Sequence, residues 1–385
     1  MESQGAGTGQ WALRARIAAL SALTLFLEML LVRWIGTEVR IFAYLQNGVL
    51  VCCFMGLGLG AMRSRAPARL LPGVLGLILI ALFIRDPFRW HLSELVTQGL
   101  AAIEETPIWG RVLESAGALS SPRVRLELAL AAIGATTLIL GAVAAAFHPL
   151  GQWLGRWLDE DPRPLKAYTS NLLGSLAGIA LFDAATAAET PPRLWLAAAG
   201  VGLALLAPVS EEPRWARRAA ALLALLWPLA CPGSGERVAW SPYQKLEALP
   251  LWDVDGRTGR PQVCGEVIRV NNTGFQAMVD LDPARWAERP DLYPPKEAEV
   301  SHYVLPYRIV GPRERVLVVG AGAGNDVAAA LRAGAGRVHA VEIDPVVLRW
   351  GMERHPGRPY ASSRVERTVD DARAFFRRDR GAYAL

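Results

Sequence analysis

Three glycines and one acid give the clearest chemical signal in the sequence. Gly320, Gly322 and Gly324 follow the apolar run 316–319, and Glu342 ends a second apolar run further along the chain. Glycines let a backbone turn tightly and approach a ligand, and a carboxylate about 20 residues later can accept hydrogen bonds from ribose hydroxyls. The pattern predicts the first half of a nucleotide-binding βαβ unit. The alternative is a glycine-rich turn that serves packing alone.

Further residues indicate which nucleotide would bind. Asn325 stands where the third glycine of a dinucleotide fingerprint would fall, which favours an adenosyl sulfonium cofactor over NAD. Asp344 follows the second predicted strand, and Asp370 and Asp371 follow the third. We expect these acids to contact the cofactor, with Asp371 able to bind an adenine amino group. The alternative for Asp371 is an acid at a helix N-terminus, where the helix dipole favours it.

The local patterns predict the elements that position these residues. β-rich runs on either side of an Asn-Asn turn predict a hairpin, and apolar runs that alternate with a helical pattern predict parallel strands. The predicted elements are the hairpin strands 262–270 and 275–281, a helix near 296–305, strands 316–319, 338–343 and 364–369, and a helix over 325–333.

A separate domain precedes this soluble half. Residues 16–231 contain runs long and apolar enough to cross a bilayer, with arginines at their ends. The predicted spans are 17–34, 41–62, 70–84, 126–147, 168–187, 194–209 and 219–231. Ridges of small residues, 56–60 and 174–178, favour close helix packing. The domains are therefore a polar tail (1–15), a bundle of about seven spans (16–231), a linker with a β unit (232–310) and a nucleoside-binding domain (311–385).

Polar residues inside the apolar runs are candidates for a second kind of site. Glu28 and Asn171 are the main ones, because a polar group at that depth normally faces a partner or a cavity. One interpretation is a pathway for a small solute. The other is a set of hydrogen bonds that fix helix packing.

Composition limits the partners. The net charge is +5, but no basic stripe with interleaved aromatic residues occurs, so a lipid bilayer is favoured over nucleic acid. The five histidines and four cysteines have no metal-ligand spacing, so we expect no metal. Basic residues favour a cytoplasmic N-terminus, which with seven spans places the C-terminal domain outside. Adenosyl cofactors are cytoplasmic, so the two arguments disagree unless one run is not a full span, part of 92–119 enters the membrane, or the N-terminus is outside. We expect an integral protein of a bacterial inner membrane with a cytoplasmic C-terminal domain.

From Ser241 onward the chain resembles the spermidine synthase family. The matching residues are Ser241-Pro242-Tyr243-Gln244, the hairpin, His302-Tyr303, Leu305-Pro306, Gly320–Gly324, Val341–Asp344 and Asp371. The resemblance implies an α/β Rossmann-like domain of the class I S-adenosylmethionine type, behind a multi-span α-helical bundle and a small β-hairpin unit. It also implies that Tyr243, Gln244 and His302 line the substrate site, that Glu342 binds ribose and that Asp371 binds adenine. An exposed strand position for Gln244 and a surface or core position for His302 are the alternatives.

The membrane half resembles the spans fused to such domains in some bacterial proteins. The features that carry this resemblance are Glu28, Leu31, Arg33, the glycine-rich second span, Tyr168, Asn171, Gly174 and Gly178. The implied activity is transfer of an aminopropyl group from decarboxylated S-adenosylmethionine to an amine such as putrescine, by a membrane-anchored enzyme that could form a homodimer.

Two departures from the family pattern keep other functions open. Ala323 stands where the family has an acid that holds the aminopropyl ammonium, and the family's general base would lie beyond Leu385. Three parallel strands would also leave an unpaired edge, so we expect the domain to be incomplete and inactive as it stands. The alternatives are methyl transfer from S-adenosylmethionine, and a membrane transporter or sensor whose soluble domain binds a nucleoside or polyamine without turnover.

Overall fold

The computed structural model describes residues 2–101, 121–231, 236–254, 258–280, 282, 302–379 and 383. The chain divides into two compact units, Met1–Gly233 and Ser234–Leu385.

The first unit is helical over its described residues. Its helices are α1 (Glu2–Glu38), α2 (Gln46–Met62), α3 (Leu71–Arg85), α4 (Leu92–Ala101), α5 (Pro122–Glu160), α6 (Pro164–Ala187), α7 (Pro192–Leu206) and α8 (Arg214–Leu226). Proline opens several of them, because its fixed φ suits the first turn and the missing N–H would have no partner there. The first turn of α3 is completed by Glu212, which accepts hydrogen bonds from the backbone N–H groups of Leu70 and Leu71.

Each predicted span lies mainly on a helix, but the helices differ in length and hydropathy. Among the helices that the structure describes, three are long and apolar enough to cross a membrane, within Gly9–Glu38, Pro122–Glu160 and Pro192–Val209. Two shorter apolar helices, Gln46–Met62 and Leu71–Arg85, accompany them. Three spans are therefore supported, and the full count of seven stays a prediction.

The ridges of small residues bring helix backbones together, as predicted. A Cβ on Gly174 or Gly178 of α6 would overlap a carbonyl oxygen of α1, that of Ala18 or Ala22. Gly56 and Gly60 of α2 meet carbonyl oxygens of α5 in the same way. Van der Waals packing between backbones therefore holds α1 to α6 and α2 to α5, which is how helices associate where apolar surface gains nothing by leaving lipid.

The helix directions define two ends of the bundle. At one end, Arg14 near the start of α1 forms a two-pronged ion pair with Asp161, with Nε–Oδ2 and Nη2–Oδ1 distances of 2.7 and 2.9 Å. The hydrogen bond from Arg14 lowers the pKa of Asp161. At the opposite end, Glu38, Arg85, Arg193 and Cys231 line one cavity. The chain therefore leaves the bundle at the end away from its N-terminus.

The second unit contains two sheets in its described residues. Strands β1 (Val238–Trp240), β2 (Lys245–Val254), β3 (Pro261–Val270) and β4 (Thr273–Met278) form an antiparallel sheet in that order. The predicted hairpin is confirmed, since Val270 pairs with Thr273. Asn271 and Asn272 between them have φ values of 47° and 63°. Positive φ at both loop residues is what a two-residue hairpin turn requires, and asparagine tolerates it.

The other sheet is parallel, with the order β5 (Arg315–Val319), β6 (Arg337–Glu342), β7 (Val365–Val369). Its helices are α9 (Leu305–Val310), α10 (Asn325–Arg332), α11 (Pro345–Arg354) and α12 (Ala372–Arg378). The helix predicted near 296–305 is wrong where it is described. Residues 302–304 form a turn and α9 begins at Leu305, because Pro306 fits only the first turn of a helix. Residues 296–301 lie outside the described residues.

A shared apolar core holds the antiparallel sheet against the parallel part. Leu246, Ile268 and Met278 of the first sheet pack in one buried cluster with Ala323 of the glycine turn and Trp350 of α11. This packing carries the hairpin to the carboxyl end of β5, where the predicted nucleoside-binding residues lie.

Candidate functional site

The glycine turn after β5 has the conformation that glycine allows. Gly320, Gly322 and Gly324 have φ values of 70°, 55° and 109°, which would strain any residue with a Cβ. Gly320 N and Ala321 N both donate to the carbonyl oxygen of Val341, at 2.9 and 3.1 Å. The turn is thus fixed to the end of β6, and it leads directly into α10.

Glu342 lies across this turn, as the sequence spacing predicted. Its Oε2 accepts a hydrogen bond of 2.8 Å from Gly322 N, and its Oε1 accepts one of 2.9 Å from Asp344 N. The residue is 8% exposed. A carboxylate oxygen can accept two hydrogen bonds, so each oxygen keeps capacity for a ligand hydroxyl while the backbone holds the group in place.

Tyr360 supports the turn from the other side. Its buried hydroxyl donates to the carbonyl oxygen of Gly322 at 2.8 Å. Burial raises the pKa of this hydroxyl, so it stays a donor. Turn, carboxylate and hydroxyl therefore form one rigid group.

Asp344 and Gln244 are in contact, and Asp344 holds Gln244 in place beside α11. Asp344 Oδ1 accepts from Val346 N at 2.9 Å and so caps α11, while its Oδ2 accepts from Ser241 Oγ at 2.6 Å and Gln244 Nε2 at 3.1 Å. Asp344 is 1% exposed, so its carboxylate faces protein groups. A direct contact of Asp344 with cofactor stays a prediction.

The Ser241–Gln244 segment is a tight turn organised by its serine. Ser241 Oγ accepts hydrogen bonds from the N–H groups of Tyr243 and Gln244, at 3.1 and 3.0 Å, while it donates to Asp344. The Tyr243 side chain is left exposed. The arrangement gives Gln244 a fixed place beside the start of α11, and a contact of Tyr243 with a substrate stays a prediction.

Sequence reasoning missed Gln276, which lies on β4 of the hairpin. Its Oε1 accepts a hydrogen bond of 2.9 Å from Ala323 N and occupies the space that a Cβ on Gly322 would need. The only signal was a polar residue in the predicted strand 275–281. The hairpin therefore supplies one wall of the glycine turn.

Asn325 links three elements of this unit. It is fully buried, and its Nδ2 donates to Ala277 O at 2.7 Å and to Tyr303 Oη at 2.8 Å. Its Oδ1 accepts from His355 Nε2 at 3.0 Å. Because His355 Nδ1 accepts from Gly357 N, the proton of the neutral ring is on Nε2, and burial lowers the pKa of His355 to about 4. The sequence showed Asn325 only as a departure from a fingerprint.

His302 and Asp326 lie near one another beside the turn. Asp326 lies in the first turn of α10, and burial raises its pKa while His302 opposes part of the rise. His302 is exposed, and its ring centroid lies 3.9 Å from that of Tyr303. The sequence predicted His302 here and missed Asp326.

Asp370 and Asp371 follow β7 at the same sheet edge. Asp370 N donates to the carbonyl oxygen of Glu342 at 3.1 Å, and the Asp370 carboxylate pairs with Arg378. Asp371 Oδ1 caps α12 by accepting from Arg373 N and Ala374 N, both at 3.0 Å. Asp371 is therefore an acid at a helix N-terminus, which is the alternative stated for it above. Its Oδ2 atom remains available for other contacts.

The two polar candidates of the bundle have different surroundings. Asn171 Oδ1 accepts a hydrogen bond of 2.7 Å from Ser21 Oγ, which joins α6 to α1 and fits the packing interpretation. Glu28 is 3% exposed, and its Oε2 has no hydrogen-bond partner among the described residues. Within the described ranges, no three His, Cys, Asp or Glu side chains are grouped to hold a metal ion.

Comparison with known proteins leaves the site geometry as the main guide. No protein-family model matches the chain. No curated protein matches it at a significant level.

Proposed function

We propose that the second unit binds an S-adenosyl donor and that the protein is a membrane-anchored transferase of the spermidine synthase type. The observation that supports this is the position of Glu342 across the glycine turn. In this proposal the parallel sheet is the first half of a Rossmann-like domain. The carboxylate accepts the ribose hydroxyls, and the first N–H groups of α10 face the donor.

The reaction would join an amine to the carbon beside the donor's sulfonium sulfur. The unprotonated amine attacks, a C–N bond forms and the C–S bond breaks. Methylthioadenosine leaves, and the amine proton passes to a base. His302 and Asp326 lie beside the turn and are the described groups best placed to accept that proton. Tyr243 and Gln244 would border the amine.

Binding tests the first step of this proposal. Isothermal titration of the full chain in detergent would compare decarboxylated S-adenosylmethionine, S-adenosylmethionine and methylthioadenosine. Glu342→Gln removes a charged acceptor, and we expect affinity to fall about 10- to 100-fold. Glu366→Gln, at an exposed acid on β7, is the matched control and should leave affinity unchanged. Failure of the unmodified chain to bind any of the three compounds would overturn the proposal.

Methyl transfer is the second possibility for the same site. Ala323 favours it, because the turn has no carboxylate at that position to hold the ammonium of an aminopropyl group. The products separate the two reactions. With putrescine as acceptor, release of methylthioadenosine shows aminopropyl transfer, and release of S-adenosylhomocysteine shows methyl transfer.

Glu28 supports a different class of function, transport or sensing by the bundle. A buried carboxylate with an unpartnered oxygen could receive a polyamine or another cation. In liposomes that contain the full chain, Glu28→Gln should reduce uptake of labelled putrescine at least about tenfold. Asn171→Ala is the comparison, since the Asn171 amide oxygen is already held by Ser21. Unaltered flux in Glu28→Gln would remove this function.

We propose that the protein lies in an inner membrane and that its second unit is in the cytoplasm, where adenosyl donors are found. Arg14, Arg63 and Arg156 lie at the end of the bundle where α1 begins, so the basic residues favour a cytoplasmic N-terminus, which with seven spans would place the second unit outside. Labelling of a single cysteine placed at exposed Glu353, with a membrane-impermeant reagent on intact cells, decides between the two. Labelling without lysis would overturn the cytoplasmic placement.

A further inference from the structure

A cavity of about 600 Å³ lies at the end of the bundle where α1 and α3 end and α7 begins. Its charged lining consists of three arginines, Arg85, Arg89 and Arg193, and two acids, Glu38 and Asp86. A cavity of this size is large enough for a small ligand or a lipid headgroup. It belongs to the first unit and takes no part in the nucleoside site.

Two of the arginines have no side-chain partner, whereas Asp86 already accepts hydrogen bonds from the backbone of its own loop. Asp86 Oδ1 accepts a hydrogen bond from Trp90 N at 2.9 Å, and its Oδ2 accepts one from His91 N at 2.5 Å. Arg85 Nη1 donates to the carbonyl oxygen of Leu229 at 3.3 Å. The guanidinium groups of Arg89 and Arg193 have no hydrogen bond or ion pair with any residue that the structure describes, and both side chains are exposed. Two guanidinium groups are thus free to bind an anion with two donors each.

The loop that forms one wall is held in a strained conformation. Asp86, Arg89 and His91 have φ values of 45°, 56° and 54°, and none of them is glycine. This conformation is unfavourable for a residue with a Cβ and persists only where its surroundings fix it. The hydrogen bonds to Asp86 supply that restraint, and they hold Arg89 at the cavity.

The same loop indicates the depth of the cavity in a membrane. Phe88 and Trp90 are 70% and 64% exposed, and their rings stack with centroids 4.9 Å apart. Exposed aromatic side chains at the end of an apolar bundle are typical of the headgroup level, where an indole is favoured. A ligand bound by the arginines would therefore lie at the level of the lipid headgroups.

We propose that this cavity binds the phosphate of an anionic phospholipid headgroup. Arg89 and Arg193 contact the phosphate, Arg85 adds positive charge, and Phe88 with Trp90 holds the loop against the acyl–headgroup boundary. Basic pockets between membrane helices recognise headgroups by this chemistry. A soluble phosphate has the same chemistry, and the experiment separates the two sources.

The test uses the full chain in detergent, with binding of phosphatidylglycerol and phosphatidylcholine measured by native mass spectrometry. We expect a preference for phosphatidylglycerol that Arg89→Gln with Arg193→Gln reduces at least about tenfold. Arg123→Gln is the matched control, because Arg123 is highly exposed in the first turn of α5 and outside the cavity. Its preference should stay within about twofold of the unmodified chain.

Further arms keep the result decisive. If the double variant does not fold, Arg89→Lys and Arg193→Lys keep the charge but lose two-pronged binding, and each should weaken the preference alone. Competition by glycerol 3-phosphate at equal concentration would overturn the lipid as occupant in favour of a soluble anion. An absent preference, or an equal loss in Arg123→Gln, would overturn the site itself.

Discussion

Buried polar groups are treated differently in the two units. Around the glycine turn, Asp344 and Asn325 have partners for their oxygen and nitrogen atoms in neighbouring elements. In the bundle, the buried Glu28 keeps an unpartnered oxygen, and the exposed guanidinium groups of Arg89 and Arg193 line a cavity without a partner among the described residues. The difference separates two roles. A satisfied buried group positions its surroundings, whereas an unsatisfied one is available to a ligand.

Glycine also has two roles in the two units. In the turn, Gly320 and Gly324 are required by positive φ, and open space surrounds Gly320. In the bundle, Gly174 and Gly178 have helical backbones and are required because another backbone lies against them. One residue type therefore answers a conformational demand in one unit and a steric demand in the other.

The largest expected effect is from Asn325→Ala, which tests the positioning role in the second unit. The change removes the hydrogen bonds that Asn325 makes to the Ala277 carbonyl, the Tyr303 hydroxyl and His355 Nε2. We expect the free energy of unfolding of this unit to fall by roughly 3 to 5 kcal/mol. Hydrogen exchange of peptides from residues 315–360 in the full chain measures it. Exposed Glu353→Ala on α11 is the control, and equal exchange in both variants would contradict the assigned role.

The next effect is a pH dependence from His355. Burial lowers the pKa of His355 from an unfolded value near 6.5 to about 4, so the unfolded chain binds the proton more readily. The contribution to stability is complete above pH 6.5 and is lost as pH falls towards 4. It amounts to about 3 kcal/mol at about 1.4 kcal/mol per pH unit.

The same exchange experiment over this pH range checks the His355 prediction, after correction for intrinsic rates. His355→Gln provides the comparison, because its amide can still donate to Asn325 and cannot titrate in this range. Its stability curve should be flatter between pH 6.5 and 4. A curve as steep as that of the unmodified chain would place the pH dependence elsewhere.

The smallest effect contrasts two glycines of the bundle. A methyl group at position 174 would overlap the carbonyl oxygen of Ala18. Gly174→Ala should therefore separate α1 from α6 and lower the free energy of unfolding by about 1 to 3 kcal/mol. Gly141→Ala on α5 meets no atom within 4 Å and should be neutral or stabilising by up to about 1 kcal/mol. Thermal unfolding in detergent compares the two. Identical shifts would show that close backbone contact does not hold this pair of helices.

Local patterns predicted most elements of the second unit well. The hairpin about Asn271 and Asn272, the strand before Gly320 and the strand that ends at Glu342 lie where their turn residues and apolar runs indicated. These signals are strong because positive φ, strand burial and helix starts each restrict which residues can occur. The helix predicted near 296–305 was wrong over 302–304. Pro306 fits only the first turn of a helix, so α9 begins at Leu305.

The sequence by itself determined the division into an apolar helical half and an α/β half, the glycine turn, and the acid that faces it. These follow from hydropathy and from spacing within a single βαβ unit. Only the tertiary structure placed Gln276 on the turn, tied Gln244 to Asp344, and gathered Arg85, Arg89 and Arg193 around one cavity. Those contacts join residues far apart in the chain, and they depend on how helices and sheets pack, which no local pattern encodes.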